Sequence, residues 1–317
     1  MALYLTEADV DRVFDMDAAL YAVESSLLHQ ANGNAINQPR QRLNSGPDTH
    51  VNTMMASDNE WGVFGFKTYT FAGGIYNFFV FLSDSRTGEL LAIIEANRMG
   101  QLRTGAATGI STKFMANPET SSVGVIGSGF QARTQLEAVG RVRELQRVKV
   151  YSPNAERRSA YALEMSDRLD LDVTPVGSAR EAVDGVGIVV TITSSRTPVL
   201  LGEWLEPGMH IAAAGGADPY VSELDFGVVE RADLTVVDDR NQSRIESGEL
   251  MMPASQGLLI WEQTRELWQV VSGQVAGRSA CEDVTLFKSL GMALWDVTSA
   301  KVAYHRAVDQ GVGLSIP

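Results

Sequence analysis

Three small residues at fixed spacing indicate a nucleotide-binding turn in the middle of the chain. Residues 121–139 read SSVGVIGSGFQARTQLEAV and place Gly127, Gly129 and Ala132 in the pattern G-x-G-x-x-G/A. The first glycine permits a tight turn, the second lets a pyrophosphate approach the backbone, and the small third residue allows close helix–strand packing. An apolar strand precedes the turn and a helix follows it, as this motif requires. The stretch therefore predicts a dinucleotide site.

The residues at the end of the next strand bear on which nucleotide is bound. In VKVYSPNAERR, Ser152 ends the strand, and Asn154, Arg157 and Arg158 follow closely. An NAD site usually has Asp or Glu here for the ribose 2′-hydroxyl, whereas Ser, Asn and Arg can accept a 2′-phosphate. Two points count against a 2′-phosphate site. Glu156 adds a negative charge nearby, and both arginines could simply be solvent-exposed at the start of a helix. The sequence favours NADP(H), with NAD(H) as the alternative.

Several cations that precede the glycine turn could bind an anionic substrate. Lys67 lies in the apolar strand VFGFKTYTF, where burial would lower the pKa of its amine and suit it to hold a carboxylate or donate a proton. Arg103 is predicted at the start of a helix of small residues, where the helix dipole would also favour an anion. Arg40 and Arg42 are further candidates. Each of these cations could instead be a surface or structural residue.

The first 120 residues predict an α+β domain around these cations. Thr6 to Asp9 forms a capping box before a short helix, and Asp15 or Asp17 can cap a second helix. The predicted strands cover residues 49–55, residues 63–71 and a hairpin made of YNFFVFLSD and ELLAIIEA.

The remainder of the chain predicts a different architecture. From Ser121 onward, helical patterns alternate with the apolar runs SVGVIG, IVVTIT, HIAAAGG and DLTVVDD. This alternation predicts an α/β unit with a parallel sheet and helices on both faces. The tail ALWDVTSAKVAYHRAV predicts an amphipathic helix after that unit.

Composition excludes several classes of function. The 317 residues include 39 acidic and 26 basic ones, and the net charge of −13 argues against nucleic acid as a main partner. No run approaches the roughly 20 apolar residues of a membrane span, and no signal-peptide pattern is visible. The single cysteine, Cys281, cannot form an internal disulfide, so a cytoplasmic protein is expected. The four histidines lack metal-ligand spacing, and no metal is expected.

Four motifs occur in an order that is typical of one family. They are GFK at 65–67, LRTGAA at 102–107, GVIGSGFQA at 124–132 and HIAAAGGADPYVSELD at 210–225. On these motifs, with TSSRTPVL and GMALWDVTSAKVAY in support, the sequence resembles the ornithine cyclodeaminase/mu-crystallin family over nearly its whole length.

The resemblance implies a Rossmann-type, doubly wound parallel sheet domain inserted into another domain. The N-terminal α+β domain of residues 1–119 would carry the substrate site and the homodimer contact, completed by the tail helix in residues 293–317. The dinucleotide-binding domain would cover residues 120–292.

The resemblance also implies roles for individual residues. Members of the family act on α-amino, α-keto and cyclic imino acids with NAD(H) or NADP(H). By matching position, Lys67 and Arg103 would hold the substrate carboxylate and line the reacting carbon, with Arg40 as a weaker candidate and Asn77 as a further hydrogen-bonding one. The predicted cofactor-binding residues are Thr104, Gly127, Gly129, Phe130, Gln131, Ala132, Ser152, Asn154, Arg157, Thr193, Ser194 and Ala213.

One departure from the family pattern concerns a possible catalytic base. Cyclodeaminases and the related alanine dehydrogenases have aspartate directly after the pair that matches Gly215 and Gly216, where this chain has Ala217 and places the carboxylate at Asp218. A shift of one residue usually redirects a side chain. Mu-crystallin, a ketimine reductase, also lacks that aspartate, so its loss favours imine reduction.

Two further departures concern the substrate. Tyr76–Asn77 replaces a frequent Pro-Thr pair, and YNFFVF is more aromatic than the family pattern. Lys288 stands where aspartate is usual, so it could add positive charge to the pocket wall or be a surface lysine. A dicarboxylic or bulky substrate is therefore conceivable.

Three functions follow from the sequence and the resemblance. The first is an NADPH-dependent reductase of cyclic or open-chain α-imino acids, in which Lys67 or a bound water supplies the proton. The second is an NAD-dependent ornithine cyclodeaminase or an alanine-type amino-acid dehydrogenase, with Asp218 as base. The third is a non-catalytic, mu-crystallin-like protein that holds NADP(H) and a small ligand.

Overall fold

The computed structural model describes residues 1–46 and 48–317 and divides into two compact units. Unit 1 comprises Met1–Arg103 and Gly291–Pro317, and unit 2 comprises Thr104–Leu290. The domain limits expected from the sequence, after residues 119 and 292, differ from these unit limits. The first unit limit falls within one continuous helix, Asn97–Met115.

Unit 1 is built on an eight-stranded sheet. Its elements are β1 (Ala2–Leu5), α1 (Glu7–Val13), α2 (Met16–Ala31), β2 (Ala35–Asn37), β3 (Gln41–Gly46), β4 (Thr49–Asp58), β5 (Val63–Ala72), β6 (Ile75–Asp84), β7 (Leu90–Glu95), the first part of α3 (Asn97–Met115), α11 (Ala293–Gln310) and β16 (Leu314–Ile316). The strand order is β16-β1-β7-β6-β5-β4-β2, and β3 pairs with β4.

The N-terminal predictions for this unit are confirmed. The Thr6 hydroxyl accepts from the N–H of Asp9, and the Asp9 carboxylate accepts from the N–H of Thr6 at 3.0 Å, which completes the capping box. Asp15 rather than Asp17 caps α2, because its carboxylate accepts from the N–H of Ala18 at 2.8 Å. The predicted hairpin is the antiparallel pair β6–β7. Strands β1 and β16, which pair antiparallel, were not predicted.

Helix α11 packs on the sheet of unit 1 against β4, β5 and β6. Residues 293–300 are all buried, and exposed positions occur only beyond them. The prediction of an amphipathic tail helix is therefore correct only for its second half. The buried first half forms part of the core, which fixes any polar side chain that it carries.

Unit 2 is the expected α/β unit. Its elements are the second part of α3, β8 (Ser122–Ile126), α4 (Phe130–Val142), β9 (Arg147–Tyr151), α5 (Ala155–Leu169), β10 (Val173–Pro175), α6 (Ala179–Val183), β11 (Ile188–Thr191), β12 (His210–Ala213), α7 (Phe226–Arg231), β13 (Leu234–Val237), α8 (Arg240–Glu246), α9 (Gly248–Ser255), β14 (Arg265–Glu266), α10 (Leu267–Val271) and β15 (Thr285–Lys288). The strands pair in parallel in the order β10-β9-β8-β11-β12-β15-β13-β14.

Both faces of this sheet are covered by apolar cores. Val123 and Val125 of β8 belong to one core, and Ile126 belongs to the other. Continuous apolar strands such as IVVT are buried at every position, as expected for a parallel sheet between two helical layers. The predicted fold class, an α/β Rossmann-type doubly wound sheet combined with an α+β part, is confirmed.

Candidate active site

Two buried cations share one carboxylate in unit 1. The Nζ of Lys67 and the Nε of Arg103 each donate to Oδ1 of Asp296 at 2.9 Å. Lys67 is 3% exposed, Arg103 is 7% exposed and Asp296 is fully buried. The three side chains come from β5, α3 and α11, and we call them the cation cluster.

Two glycines make room for the cation cluster. A Cβ at Gly100 would lie 3.2 Å from Nζ of Lys67, and a Cβ at Gly291 would lie 2.6 Å from Nη1 of Arg103. Gly291 also has a φ of +79°, a conformation that favours glycine. The backbone next to the cluster is therefore constrained by the close approach of the two cationic side chains.

The electrostatics of the cation cluster favour an anion. Burial is the largest effect on the pKa of the Lys67 amine, which is lowered to about 8. The positive charges of Arg103 and Arg40 also lower this pKa, whereas the negative charge of Asp296 raises it. Burial by itself would raise the pKa of Asp296, but the charges of Arg103 and Lys67 hold it below its ordinary value. Two cations therefore face one carboxylate. Such a buried excess of positive charge favours a bound carboxylate, which can pair with both cations.

The prediction that Arg103 starts a helix is wrong. Helix α3 begins at Asn97, and the N–H groups of Asn97 and Arg98 donate to the carboxylate of Glu7 at 2.7 and 2.8 Å. The dipole of a helix acts mainly within its first turn, so it gives little help to an anion at Arg103. The guanidinium charge alone accounts for its attraction to an anion.

The other predicted substrate residues of unit 1 are placed differently. Arg40 is half-buried, and its charge acts on Lys67. Arg42 donates from Nε to Oδ1 of Asn52 at 3.0 Å. Asn77 is exposed and lies on the face of the sheet opposite to Lys67, because Lys67 pairs with residue 80 of β6 and strand residues alternate between faces. The structure therefore brings Arg40 close to the cation cluster but not Asn77.

The glycine turn borders a cleft of about 490 Å³ in unit 2. The cleft is lined by residues 126–129, 151–154 and 192–195 together with Arg157 and Val199. Gly127 has a φ of +123°, and a Cβ on it would lie 2.3 Å from the carbonyl oxygen of Ile192. A Cβ on Gly129, the N-cap of α4, would meet nothing within 4 Å among the described residues. The helix N-terminus is thus open to a pyrophosphate.

The lining contains part of the predicted cofactor set. It includes Gly127, Gly129, Ser152, Asn154, Arg157, Thr193 and Ser194, and it does not include Thr104, Phe130, Gln131, Ala132 and Ala213. Ala132 is fully buried, and the Tyr161 hydroxyl donates to its carbonyl oxygen at 2.9 Å. This agrees with a small residue that allows close packing at the third motif position.

The strand end that bears on the nucleotide carries no acid. The hydroxyl oxygens of Ser152 and Ser128 lie 2.7 Å apart, and the Asn154 side chain accepts from the N–H of Arg157 at 2.8 Å. Arg158 donates to the carbonyl oxygen of Ser152 at 2.8 Å, whereas Arg157 is exposed at the cleft. Among the described residues that line the cleft, none is Asp or Glu.

Lys288 is neither a surface lysine nor an added charge in a pocket wall, so both expectations for it are wrong. It is fully buried at the end of β15 and pairs with Glu249. Its Nζ also donates to the carbonyl oxygens of Gly215 and Gly216 at 2.5 and 3.2 Å. Asp218, further along the same turn, accepts from the N–H of Tyr220 at 2.9 Å.

The buried carboxylate of Glu223 links Glu249, the partner of Lys288, to residues of the cleft wall. Glu223 accepts from the Thr191 hydroxyl at 2.9 Å and from the N–H groups of Thr193 and Gly215 at 2.5 and 2.9 Å. Burial raises the pKa of the Glu223 carboxyl. Glu249 in turn accepts from the N–H of Glu223 at 2.9 Å. These contacts join the cleft wall to the turn after β12, and sequence reasoning missed them.

Lys288→Met is expected to lower the free energy of unfolding by about 3–5 kcal/mol, because Glu249 would stay buried without its counter-charge. Adding Glu249→Gln removes that charge and keeps an oxygen acceptor for the N–H of Glu223, so the double variant should recover at least about half of the loss. Urea denaturation measures both effects. A double variant no more stable than Lys288→Met would contradict this account.

Two negative findings concern the described residues as a whole. Within 1–46 and 48–317, no three His, Cys, Asp or Glu side chains are grouped so that they could hold a metal ion. In the same residues, no helix has both the length and the apolar character needed to cross a membrane.

The glycine-bordered cleft and the cation cluster are parts that an NAD(P)-dependent oxidoreductase of small acids requires. The chain belongs to the ornithine cyclodeaminase/mu-crystallin family, whose model matches residues 2–311. The resemblance drawn from the motifs is therefore confirmed.

Similarity to individual relatives extends over most or all of the chain. This chain is 37% identical over 238 residues to a Delta(1)-pyrroline-2-carboxylate reductase of Bacillus cereus, and the match covers 75% of this chain and 73% of the relative. The structure of Thermococcus litoralis Delta(1)-pyrroline-2-carboxylate reductase in complex with NADH and L-proline matches with a TM-score of 0.95 at 32% identity, covering 99% of this chain and 100% of that chain. An archaeal alanine dehydrogenase dimer with bound NAD matches with a TM-score of 0.93 at 34% identity, covering 100% and 99%.

These relatives are reductases and dehydrogenases, and both solved ones hold a nicotinamide cofactor. The predicted enzyme class, an NAD(P)-dependent oxidoreductase, is confirmed.

Proposed function

We propose that this chain is an NAD(P)H-dependent reductase of α-imino acids, which converts a cyclic or open-chain imine into the amino acid. The cation cluster carries the proposal, because Lys67 and Arg103 place two buried positive charges against the single carboxylate of Asp296. A substrate carboxylate would balance the excess charge. The solved reductase with NADH and L-proline supports this chemistry.

Each member of the cation cluster has a separate role in the proposal. Arg103 would bind the substrate carboxylate through its two Nη groups, since its Nε is held by Asp296. Lys67, with a pKa of about 8, would hold the same carboxylate or donate a proton to the imine nitrogen, directly or through a water. Asp296 would position both cations. The reduced nicotinamide, when bound, supplies the hydride.

The preferred reductant in the proposal is NADPH. The cleft lining offers no carboxylate to repel a 2′-phosphate, and the exposed Arg157 side chain can pair with one. The positive φ and close packing of Gly127 fit a dinucleotide turn with either cofactor.

Ser152→Asp is expected to reverse the preference for NADPH over NADH in kcat/KM. The new carboxylate would repel a 2′-phosphate and accept from a 2′-hydroxyl. Steady-state kinetics with both reductants measure the ratio. Ser159→Asp, which adds the same charge at an exposed position of α5, is the control and should keep the wild-type ratio. A wild-type enzyme that prefers NADH would contradict the proposal.

A second candidate is an NAD-dependent cyclodeaminase or alanine-type dehydrogenase with Asp218 as base. The observation that favours it is the match to the archaeal alanine dehydrogenase over the whole chain. The two candidates differ in one assay. A reductase consumes NAD(P)H with Δ1-pyrroline-2-carboxylate, whereas a cyclodeaminase forms proline from ornithine without added reductant. Tight NADP(H) binding with no turnover in either assay, and no NAD-dependent oxidation of alanine, would instead favour the non-catalytic alternative.

The proposed enzyme is a homodimer that pairs through the outer face of β4–β6. On this face Met55, Phe64 and Phe66 are 44%, 40% and 37% exposed, and Phe66 stacks on Phe81 with ring centroids 4.6 Å apart. A contiguous exposed apolar patch is typical of an interaction site, and a twofold axis would bury two copies of it. Light scattering at micromolar concentration should give twice the chain mass of 34.3 kDa. A monomer would contradict this arrangement.

A further inference from the structure

Five aromatic rings form a continuous layer on one face of β4–β6. His50 stacks on Phe71 at 5.2 Å, and Phe71 lies 4.7 Å from Tyr76. Tyr76 in turn stacks on Phe78 at 5.6 Å, and Phe78 stacks on Tyr69 at 5.1 Å. We call these five side chains the aromatic wall.

The aromatic wall lies on the same face of the sheet as Lys67. Tyr69 pairs with Phe78, and Phe71 pairs with both Tyr76 and His50. Because side chains alternate along a strand, residues 67, 69 and 71 of β5 point to one side, together with these partners. The Nζ of Lys67 lies 5.2 Å from the centroid of the Phe78 ring, so the wall begins directly at the cation cluster.

The burial of β5 changes along this face. Lys67 is buried, whereas Tyr69 and Phe71 are only partly covered and Tyr76 on β6 is 50% exposed. The rings therefore have faces and edges open to a ligand. Aromatic pairs are favourable at ring separations of about 4.5–7 Å, so a further ring can join this layer.

We infer that the aromatic wall binds an aryl side chain of the α-imino acid substrate, an inference that rests on the proposed reductase function. A carboxylate held by Lys67 and Arg103 fixes one end of the substrate, and the wall extends from that point along the same face. Four of the five rings belong to Phe and Tyr, so the layer offers a ligand mainly uncharged ring surface. A bulky aromatic substrate thus fits this face better than a dicarboxylic one.

The inferred reaction needs no reactant beyond those of the proposed function. The reduced nicotinamide gives a hydride to the imine carbon, and a proton adds to the imine nitrogen. The C=N double bond becomes a CH–NH single bond, and the nicotinamide is oxidised.

The test compares two imines that differ only by a phenyl group. They form from phenylpyruvate or pyruvate with excess methylamine, and Δ1-pyrroline-2-carboxylate serves as a third substrate. The kcat/KM for the phenylpyruvate imine should exceed that for the pyruvate imine at least about tenfold. A factor of this size corresponds to the free energy of one favourable ring contact together with the area that it buries. Phe71→Ala and Tyr76→Ala should each reduce this ratio severalfold. Tyr21→Ala, which removes a 60% exposed ring on α2, should leave it unchanged.

The outcomes separate this inference from the proposed function. If none of the three imines is reduced, the reductase proposal fails and the inference falls with it. If the pyruvate imine or Δ1-pyrroline-2-carboxylate is reduced and the phenyl group gives no advantage, only the inference is overturned. The aromatic wall could instead be covered by a second copy of this chain. Light scattering on Phe71→Ala and Tyr76→Ala, which reports the oligomeric state, tests this alternative. Loss of the dimer in them would also overturn the inference, because the wall would then be covered by a partner subunit.

Discussion

Replacing Lys67 with methionine is expected to lower kcat for imine reduction by at least about 100-fold, the low end of general acid–base effects. Methionine keeps most of the length of lysine but removes the ammonium group and its proton. The imine nitrogen would lose its proton source, and the substrate carboxylate would lose one of two charges. Steady-state kinetics with Δ1-pyrroline-2-carboxylate and NADPH measure the loss.

The pH dependence of the wild-type enzyme gives an independent check on Lys67. An acid with a pKa of about 8 is protonated below that pH, so kcat/KM should be highest there and fall as the pH rises through 8. Lys301→Met, at a partly exposed position of α11, is the matched control and should keep both kcat and this profile. A Lys67→Met variant with kcat within about threefold of the wild type would rule out the proposed proton donor.

Asp296→Asn is expected to act through Lys67. The charge of Asp296 opposes the effect of burial on the pKa of Lys67, so its removal should bring that pKa below 8 and move the alkaline fall of kcat/KM to lower pH. It should also cost about 3–5 kcal/mol in free energy of unfolding, since two buried cations would lose their counter-charge. A pH–rate profile and urea denaturation measure the two effects.

The control for this variant is Asp309→Asn, at an exposed position near the end of the same helix. It should shift neither the pH profile nor the stability by a measurable amount. The pH profile distinguishes the loss of the charge from loosened packing, because less burial would raise the pKa of Lys67, whereas removal of the Asp296 charge lowers it. An Asp296→Asn enzyme with the wild-type profile would contradict the role assigned to this carboxylate.

The features that the sequence predicted well depend on local patterns. The glycine turn at Gly127 needs only a tight turn between an apolar strand and a helix, and both are visible within about 20 residues. The cap of α2 at Asp15 and the β6–β7 hairpin are equally local. Lys67 and Arg103 were singled out by residue type and by the order of the family motifs, and the structure brings them together.

The features that the sequence did not reveal depend on contacts between distant residues. Asp296 lies 193 positions after Arg103, inside an apolar helix whose burial no periodicity predicted. An aspartate among buried residues in ALWDVTSA was the available signal, because a buried charge requires a partner. The burial of Lys288 is not visible in the sequence, because its partner Glu249 lies on another element. The start of α3 at Asn97 is not visible locally either, because the carboxylate that accepts from its first N–H groups belongs to Glu7 of α1.

The most direct test of the reductase proposal is the fate of the transferred hydride. The purified chain would be incubated with Δ1-pyrroline-2-carboxylate and NADPH that carries two deuterium atoms at C4 of the nicotinamide, and the product analysed by mass spectrometry. The account predicts proline with one deuterium at its α-carbon, and no such product with Lys67→Met on the same timescale. Proline that forms from ornithine without added reductant, with no deuterated proline from the imine, would contradict it.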